Sequence, residues 1–551
     1  MPQIARLIGG AGTGKTTESL RIMDGVLERV HDPHLIGFVS FTRAARREAS
    51  SRAADRFGMK PQKLETEGWF KTHHAICYKQ LGVGKELITD NAESKAWIRN
   101  NVDEDAAQVI DDSADMAEAF AGKATDADKA LAIWGEARNR LEPLENAWGR
   151  AEATSERTPS YLDVEEIVQR YEQAKRLDGR VDFTDILARF SGWHLAVRGG
   201  AEKCEPDGEV PAVPCWFFDE AQDNSALTDA VARRLISHDD CEYAYVVGDF
   251  FQSIYGFGGA SPHYFMGWDV SKERTMPKSY RCPPAILDVG EEILRDCTDY
   301  WDRGIQPADH EGVVDTAEMG RGIVADVDPA ESWLLLARTN LLARKWGRLL
   351  DASGVPWTPT RGGGGWAAPR RNAAIRGLMA IQAGAPIDGA VWLDILKYVP
   401  SRFEGQETIV RGTKTDFAGC DADEAEDEWP FLLPDSLHEV GATKAFVVFA
   451  RAGAWMQWIP KSREYVAAVG RWGEEAIQAA NVRVGTIHSV KGSEADNVAV
   501  LTTLNEATVK GMRTDAGTDE ELRVWYVAAT RARRRLIWVR ENTRYRKRVP
   551  A

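Results

Sequence analysis

Residues 9–16 read Gly-Gly-Ala-Gly-Thr-Gly-Lys-Thr, set between the apolar stretch Ile4–Ile8 and a run of helical character. This G-x-x-x-x-G-K-[ST] pattern restricts the chain to few architectures. It works only where a buried strand delivers the backbone to a helix, glycines let N–H groups turn inward around phosphate oxygens, and the helix aims its positive end at them. A nucleotide phosphate is therefore the first ligand to consider. Gly10, Ala11, Gly12, Thr13 and Gly14 would form the cradle, Lys15 would reach the β- and γ-phosphates, and Thr16, with Thr17 beside it, would hold Mg²⁺.

With 551 residues the chain exceeds one hydrophobic core, which suggests roughly three or four domains. No apolar run approaches the roughly 20 residues that span a bilayer, and the start lacks a secretory layout, so no membrane contact and a cytoplasmic location are expected, in a bacterium or in a host cell if the gene is carried by a phage. The cysteines at 77, 204, 215, 241, 282, 297 and 420 are odd in number and form no C-x-x-C, so free thiols are expected rather than disulfides, zinc or iron–sulfur. A net charge of −15 argues against coating nucleic acid by bulk attraction. Local basic tracks remain open: Arg43, Arg46, Arg47 and Arg52, and again Arg531, Arg533, Arg534, Arg535, Arg540, Arg544, Arg546 and Arg548. Acid gathers in Asp103–Asp115 and Asp421–Glu428, which read as solvated faces.

Short apolar, β-rich runs followed by helix-like segments give the pattern of α/β layers with parallel sheets. Strands are expected at Ile4–Ile8, Leu35–Phe41, Trp216–Phe218, Tyr243–Val247, Trp333–Ala337, Val482–Ile487, Val498–Leu501 and Leu536–Val539. Residues near 85–182 look helical, with Leu162, Val164, Ile167, Val168 and Tyr171 on one stripe; residues near 366–474 are mixed and acidic, behind a linker-like run Gly362–Gly365. The expected layout is a first module at 1–84 and 183–278 with an insertion at 85–182, and a second module at 279–365 and 475–551 with a short insertion at 366–474.

A second chemical signal is Cys-Trp-Phe-Phe-Asp-Glu-Ala-Gln-Asp at 215–223, which puts Asp219 and Glu220 at the carboxyl end of a buried strand, where open α/β sheets bind ligands. Asp219 would complete the Mg²⁺ shell begun by Thr16, and Glu220 would polarise the attacking water. The chain here resembles the superfamily 1A helicases of the UvrD/Rep/PcrA type. Asp219–Asp223 matches that family's D-E-x-Q-D; Gly248–Phe257 resembles its third motif, Ser279-Tyr280-Arg281 its fourth, Val484–Glu494 its fifth and Tyr526–Ala532 its sixth. Phe41–Ala45, Thr72-His73-His74 and Asp182–Asp185 resemble lesser signatures, all in the family's order.

The resemblance implies two RecA-like P-loop modules, each with a mainly helical insertion, and ATP and Mg²⁺ as cofactors. It implies that Lys15, Asp219, Glu220, Gln252, Arg281 and Arg531 are catalytic, the two arginines meeting the γ-phosphate from the second module. Tyr280 would stack on the base and Glu494 would bond the ribose. Tyr255 and Phe257, with Phe41, would stack on nucleic-acid bases, while Thr42, Arg43, Thr72, His74, Thr486 and His488 would touch the strand. The implied activity is an ATP-dependent motor moving 3′-to-5′ on single-stranded DNA and acting at junctions with duplex, as a monomer or weak oligomer. A translocase that strips bound proteins without unwinding, or a non-motor ATP-dependent DNA-binding subunit, are the alternatives. The chain departs from the family's pattern at Gly256-Phe257-Gly258-Gly259, where a Trp followed by an Arg is usual, and in having His73 at a commonly apolar position.

Overall fold

The computed structural model describes residues 2–40, 43–89, 91–106, 124–155, 157–361, 366, 368–543, 545–547 and 549. Phe41, Thr42, the side chain of Arg43, Gly362–Gly365, Arg544, Arg548 and part of the Asp103–Asp115 run lie outside the described residues.

In chain order the strands are β1 (Gln3–Gly9), β2 (Ile36–Ser40), β3 (Trp69–Lys71), β4 (Trp193–Ala196), β5 (Gly200–Lys203), β6 (Cys215–Asp219), β7 (Tyr243–Gly248) and β8 (Lys272–Met276). They continue with β9 (Val313–Glu318), β10 (Trp333–Ala337), β11 (Thr358–Pro359), β12 (Arg402–Phe403), β13 (Gln406–Glu407), β14 (Val482–Thr486), β15 (Ala495–Leu501) and β16 (Ala532–Arg540). Two parallel six-stranded sheets with surrounding helices result, of order β3-β2-β6-β7-β1-β8 and β11-β14-β10-β15-β16-β9, beside the hairpins β4-β5 and β12-β13. The α/β class with two RecA-like modules expected from the sequence is the fold observed.

Strands β2 and β6 are buried along their whole length, which is why they read as continuous apolar runs: a parallel sheet covered on both faces leaves no solvent side to alternate with. The edge strand β8, Lys-Glu-Arg-Thr-Met, is exposed except at Met276 and carries charge, including a 2.6 Å ion pair from Arg6 to Glu273. An edge tolerates such a sequence and is protected by it. Apolar patterning misses it for the same reason, as it misses the three-residue β3.

By compactness the chain separates into a larger unit, Met1–Ala317 with Ala337–Asn340 and Thr486–Ala551, and a smaller one, Glu318–Leu336 with Leu341–Gly485. The smaller unit has its own core of Trp366, Ile375, Leu378, Trp392, Ile395, Phe446, Trp455 and Tyr465. In the larger unit, the helices Asp126–Arg140, Leu144–Thr154 and Tyr161–Asp178 pack a core that includes Ile133, Trp134, Leu144, Val164, Ile167, Val168 and Tyr171. Leu162 was expected on that stripe and instead is 72% exposed. It lies in the first turn of its helix, about 160° round from Val164 at 100° per residue, and so faces away from the core.

Asp182 caps the next helix, Phe183–Ser191, in a reciprocal box with Asp185. Its carboxylate also accepts from Arg138 at 2.8 Å, Lys175 at 2.9 Å and the Tyr171 hydroxyl at 2.9 Å. Glu172, Asp182 and Asp185 lie close enough to hold a cation, but Arg138 and Lys175 already neutralise the group. The lesser signature at 182–185 is thus an ion-paired staple between insertion and first sheet. Every cysteine is free, and among the described residues no helix is long and apolar enough to cross a membrane.

Candidate functional site

All the residues described here belong to the larger unit. Parallel register aligns Ile8 with Gly248 and Ser40 with Asp219, so the phosphate loop, the acidic pair and the third motif all leave the first sheet at its carboxyl edge. The helix Lys15–Val30 starts from Gly14 at φ 77°, and Gly12 sits at φ 69°, left-handed conformations that a side chain would strain. Lys15 is buried, and its ammonium donates to the carbonyls of Gly9 at 3.1 Å and Gly10 at 3.2 Å, leaving one N–H for a ligand.

Glu220 follows β6 at φ 54°, a left-handed conformation that costs a non-glycine residue roughly 1–2 kcal/mol. Burial would raise the Glu220 pKa, but Lys491, Lys15, a hydrogen bond from Gln222 and Arg531 together bring it below the ordinary value, so it is a carboxylate at neutral pH. The Gln222 amide donates to Glu220 at 2.5 Å, while its Oε1 accepts the backbone N–H of Asp249 at 3.0 Å, joining the second motif to the third. Lys491, in the fifth motif, is a functional candidate that the motif pattern alone does not single out. Its ammonium donates to the Asp223 carboxylate and to the carbonyl of Gln252 at 2.6 Å, lies 3.9 Å from Glu220, and sits 5.1 Å over the Tyr255 ring. Burial pushes Asp223 up to about 7 against the pull of Lys491, with Glu220 adding to the rise.

The segment Ser279–Arg281 closes over the phosphate loop: Tyr280 N–H donates to Gly12 O at 2.8 Å and Ser279 Oγ to Ala11 O at 2.8 Å. A Cβ on Gly12 would lie 2.3 Å from Arg281 Cβ, so this approach requires glycine. The Tyr280 ring is 69% exposed and flanks Gly14, presenting a free face. Arg281 donates to Glu494 at 2.5 Å. Arg531 is buried; Nε donates to Val527 O at 3.0 Å, Nη1 to Ser493 O at 3.2 Å, and Nη2 has no partner. Burial first, then repulsion from Arg281, lowers the Arg531 pKa to about 10. Two guanidinium groups that repel each other, one with a buried orphaned donor, have the chemistry to bind an anion. Gln252 is buried in the same region.

Tyr255, Phe257 and His488 form one cluster, with ring centroids 5.9 Å apart for Tyr255–Phe257 and 5.6 Å for Phe257–His488, and the Tyr255 hydroxyl 3.4 Å from His488 O. Tyr255, Thr486 and His488 are buried and Phe257 is half-buried. Thr486 Oγ1 accepts from Ser489 N–H at 3.2 Å, and Thr72 caps the helix His73–Leu81 by accepting from Ala75 N–H at 3.3 Å. His74 meets Phe183 edge-on at 5.8 Å. The expected basic tracks are largely neutralised where described, by Arg46–Glu65 at 3.2 Å, Arg535–Asp315 at 2.7 Å and Arg533–Glu494 at 3.4 Å.

His73 lies buried, stacked 6.5 Å from Phe218, with Nε2 unpartnered. Burial, then the neighbouring His74, depresses its pKa from 6.5 to about 3. A depressed folded pKa means stability complete above 6.5 and lost as pH falls toward 3, by at most roughly 1.4 kcal/mol per pH unit. The His73→Leu protein should therefore show a shallower fall of its thermal midpoint between pH 6.5 and 4; an unchanged slope would assign the acid sensitivity elsewhere.

A glycine-rich loop at the carboxyl edge of one parallel sheet, an acidic pair two strands away, and arginines presented by segments of a second α/β layer define a P-loop NTPase with two RecA-like modules. Residues 3–271 match the UvrD/REP helicase N-terminal domain, and residues 470–542 match the UvrD-like helicase C-terminal domain. The chain belongs to the UvrD/Rep helicase family, whose members bind ATP and DNA. It is similar to the ATP-dependent DNA helicase UvrD2 of Mycobacterium tuberculosis and of Mycobacterium bovis, each 24% identical over 96% of this chain and 75% of the relative.

Proposed function

We propose that this UvrD-type helicase is a Mg²⁺- and ATP-dependent motor that moves 3′-to-5′ along single-stranded DNA and opens duplex at junctions, as a monomer or weak oligomer. The observation that carries the reading is the convergence of Lys15 and Arg531 on Glu220, with Arg281 next to Arg531 and Arg531 Nη2 buried and unpartnered.

In this reading the first module comprises 1–84 and 183–278 with its insertion at 85–182, and the second comprises 279–365 and 475–551 with its insertion at 366–474. Gly10 to Gly14 cradle the phosphates, aided by the positive end of the helix Lys15–Val30. Thr16 and Asp219 would hold Mg²⁺, which would supply positive charge against the charge developing on the phosphates. Glu220, ionised, takes the proton of the attacking water; Lys15, Arg281 and Arg531 offset charge on the γ-phosphoryl oxygens, and Gln252 reports its presence to the third motif. Tyr280, whose ring is exposed, would stack on the base, and Glu494, bonded by Arg281, would accept from the ribose. Tyr255 and Phe257 would stack on bases, worth roughly 1–3 kcal/mol each, strong enough to grip and weak enough to release in every cycle. Thr72, His74, Thr486 and His488, with Phe41, Thr42 and Arg43, complete the proposed path.

The test is ATP hydrolysis with and without single-stranded DNA, run beside unwinding of 3′-tailed and 5′-tailed duplexes. Stimulated hydrolysis and opening of the 3′-tailed substrate alone are expected. Opening of the 5′-tailed substrate alone would reverse the polarity, and hydrolysis indifferent to DNA would remove the motor.

A further inference from the structure

Behind the phosphate loop sits a fully buried ion pair that joins Asp249 of the third motif to Arg303, which belongs to no motif. The Arg303 and Asp249 side chains are 1% and 0% exposed, joined Nη1 to Oδ1 at 2.7 Å. Arg303 Nη2 also donates to Glu291 at 2.5 Å and to the Tyr526 hydroxyl at 3.4 Å, and its guanidinium lies 4.7 Å over the Phe251 ring and 5.3 Å over the Tyr526 ring.

Tyr526 connects this pair to the nucleotide loop. Its hydroxyl accepts the Ala11 N–H at 3.2 Å and donates to Asp249 Oδ2 at 3.4 Å, so with Arg303 its hydrogen-bonding capacity is full. A Cβ on Gly10 would fall 2.1 Å from Ile305 and 3.6 Å from Arg303 Nη1, so the loop rests directly on the Arg303 turn. On the far side, Asp249 starts the turn Phe250–Gln252: its carboxylate accepts Phe251 N–H at 3.1 Å and its carbonyl accepts Gln252 N–H at 2.9 Å. The same turn leads to Tyr255 and Phe257, while the helix Asp515–Ala529 that carries Tyr526 ends just before Arg531.

Burying such a pair costs several kcal/mol per ion, and apolar side chains of similar volume often stabilise as well or better. Its position against the phosphate loop is better explained by placement than by stability. We propose that Tyr526, Arg303 and Asp249 are positioning residues that transmit occupancy of the phosphate loop to the aromatic surface of Tyr255 and Phe257, and so set its affinity for single-stranded DNA. The inference rests on the motor reading above. A triphosphate that shifts the Ala11 amide pulls on the Tyr526 hydroxyl; Asp249, clamped by Arg303, passes the displacement to the turn bearing Gln252 and the stacking aromatics.

The experiment measures the dissociation constant of a labelled oligothymidylate with and without a non-hydrolysable ATP analogue and Mg²⁺, in the intact protein and in Tyr526→Phe and Arg303→Lys. The intact protein should show a ratio different from one. Tyr526→Phe, which removes only the hydroxyl, should move that ratio about 3- to 10-fold toward one while affinity for the analogue alone stays within about twofold. Arg303→Lys, which keeps the charge but loses the fork, should fall between them. A normal ratio in both variants, even with lowered thermal midpoints, would make the cluster merely structural, and a ratio of one in the intact protein would end the proposal. DNA-stimulated hydrolysis in the intact protein with no effect of nucleotide on DNA affinity overturns this relay alone; a nucleotide-dependent ratio without stimulated hydrolysis overturns the motor alone.

Discussion

The Arg531→Ala protein is expected to hydrolyse ATP in the presence of single-stranded DNA on the order of 10³-fold or more slowly than the intact protein, the loss usual for an arginine that meets the transition-state phosphoryl group. The expectation comes from the groups around Arg531. Its Nη2 has no partner, Arg281 repels it, and burial with that repulsion brings its pKa down to about 10. Such a guanidinium is costly to the empty protein, so an apolar variant such as Arg531→Met should fold with equal or greater thermal stability while losing turnover. Activity lost together with stability would mean that the bonds to Val527 and Ser493 are its main contribution. Unchanged turnover would take Arg531 out of the mechanism.

The second large effect is expected at Glu220. Glu220→Gln should lower maximal turnover by roughly 10²–10⁴-fold with little change in the KM for ATP, because the amide cannot accept the proton of the attacking water. The swap is nearly isosteric, and the substituted amide can turn its oxygen to accept from Gln222, whose own oxygen stays on the Asp249 N–H. Binding of a fluorescent ATP analogue separates the outcomes: retained binding with lost turnover assigns Glu220 to the chemical step, whereas lost binding assigns it to assembly of the pocket.

Legibility in the sequence followed the range of the interactions. Strands β2 and β6 announce themselves because burial on both faces leaves apolar runs, β1 and β7 because their runs are interrupted by no more than Arg6, and the phosphate loop because one local backbone shape needs its glycines. The edge strand β8 escapes apolar patterning because it has no apolar face, and Leu162, expected on the buried stripe, lies off it by its angle on the helix. The residues that knit the site together were invisible for another reason. Lys491 reaches Asp223 across 268 positions, Tyr526 reaches Ala11 across 515, and Arg303 lies outside any motif. No periodicity encodes such pairs; a buried charge can be recognised as buried only once the fold has enclosed it. The left-handed backbone at Glu220 is likewise a property of the tertiary structure.

The staple at Asp182 has a mechanical consequence. Cations from two insertion helices, Arg138 and Lys175, end on a carboxylate that caps a helix of the first module, and stripping a buried ion of its partner costs about 3–5 kcal/mol. That is enough to keep the insertion from swinging on its own at ordinary temperatures. The helices Asp126–Arg140 and Tyr161–Asp178 are thereby tied to the helix Phe183–Ser191 by charge as well as by packing, so a displacement of one is felt by the others.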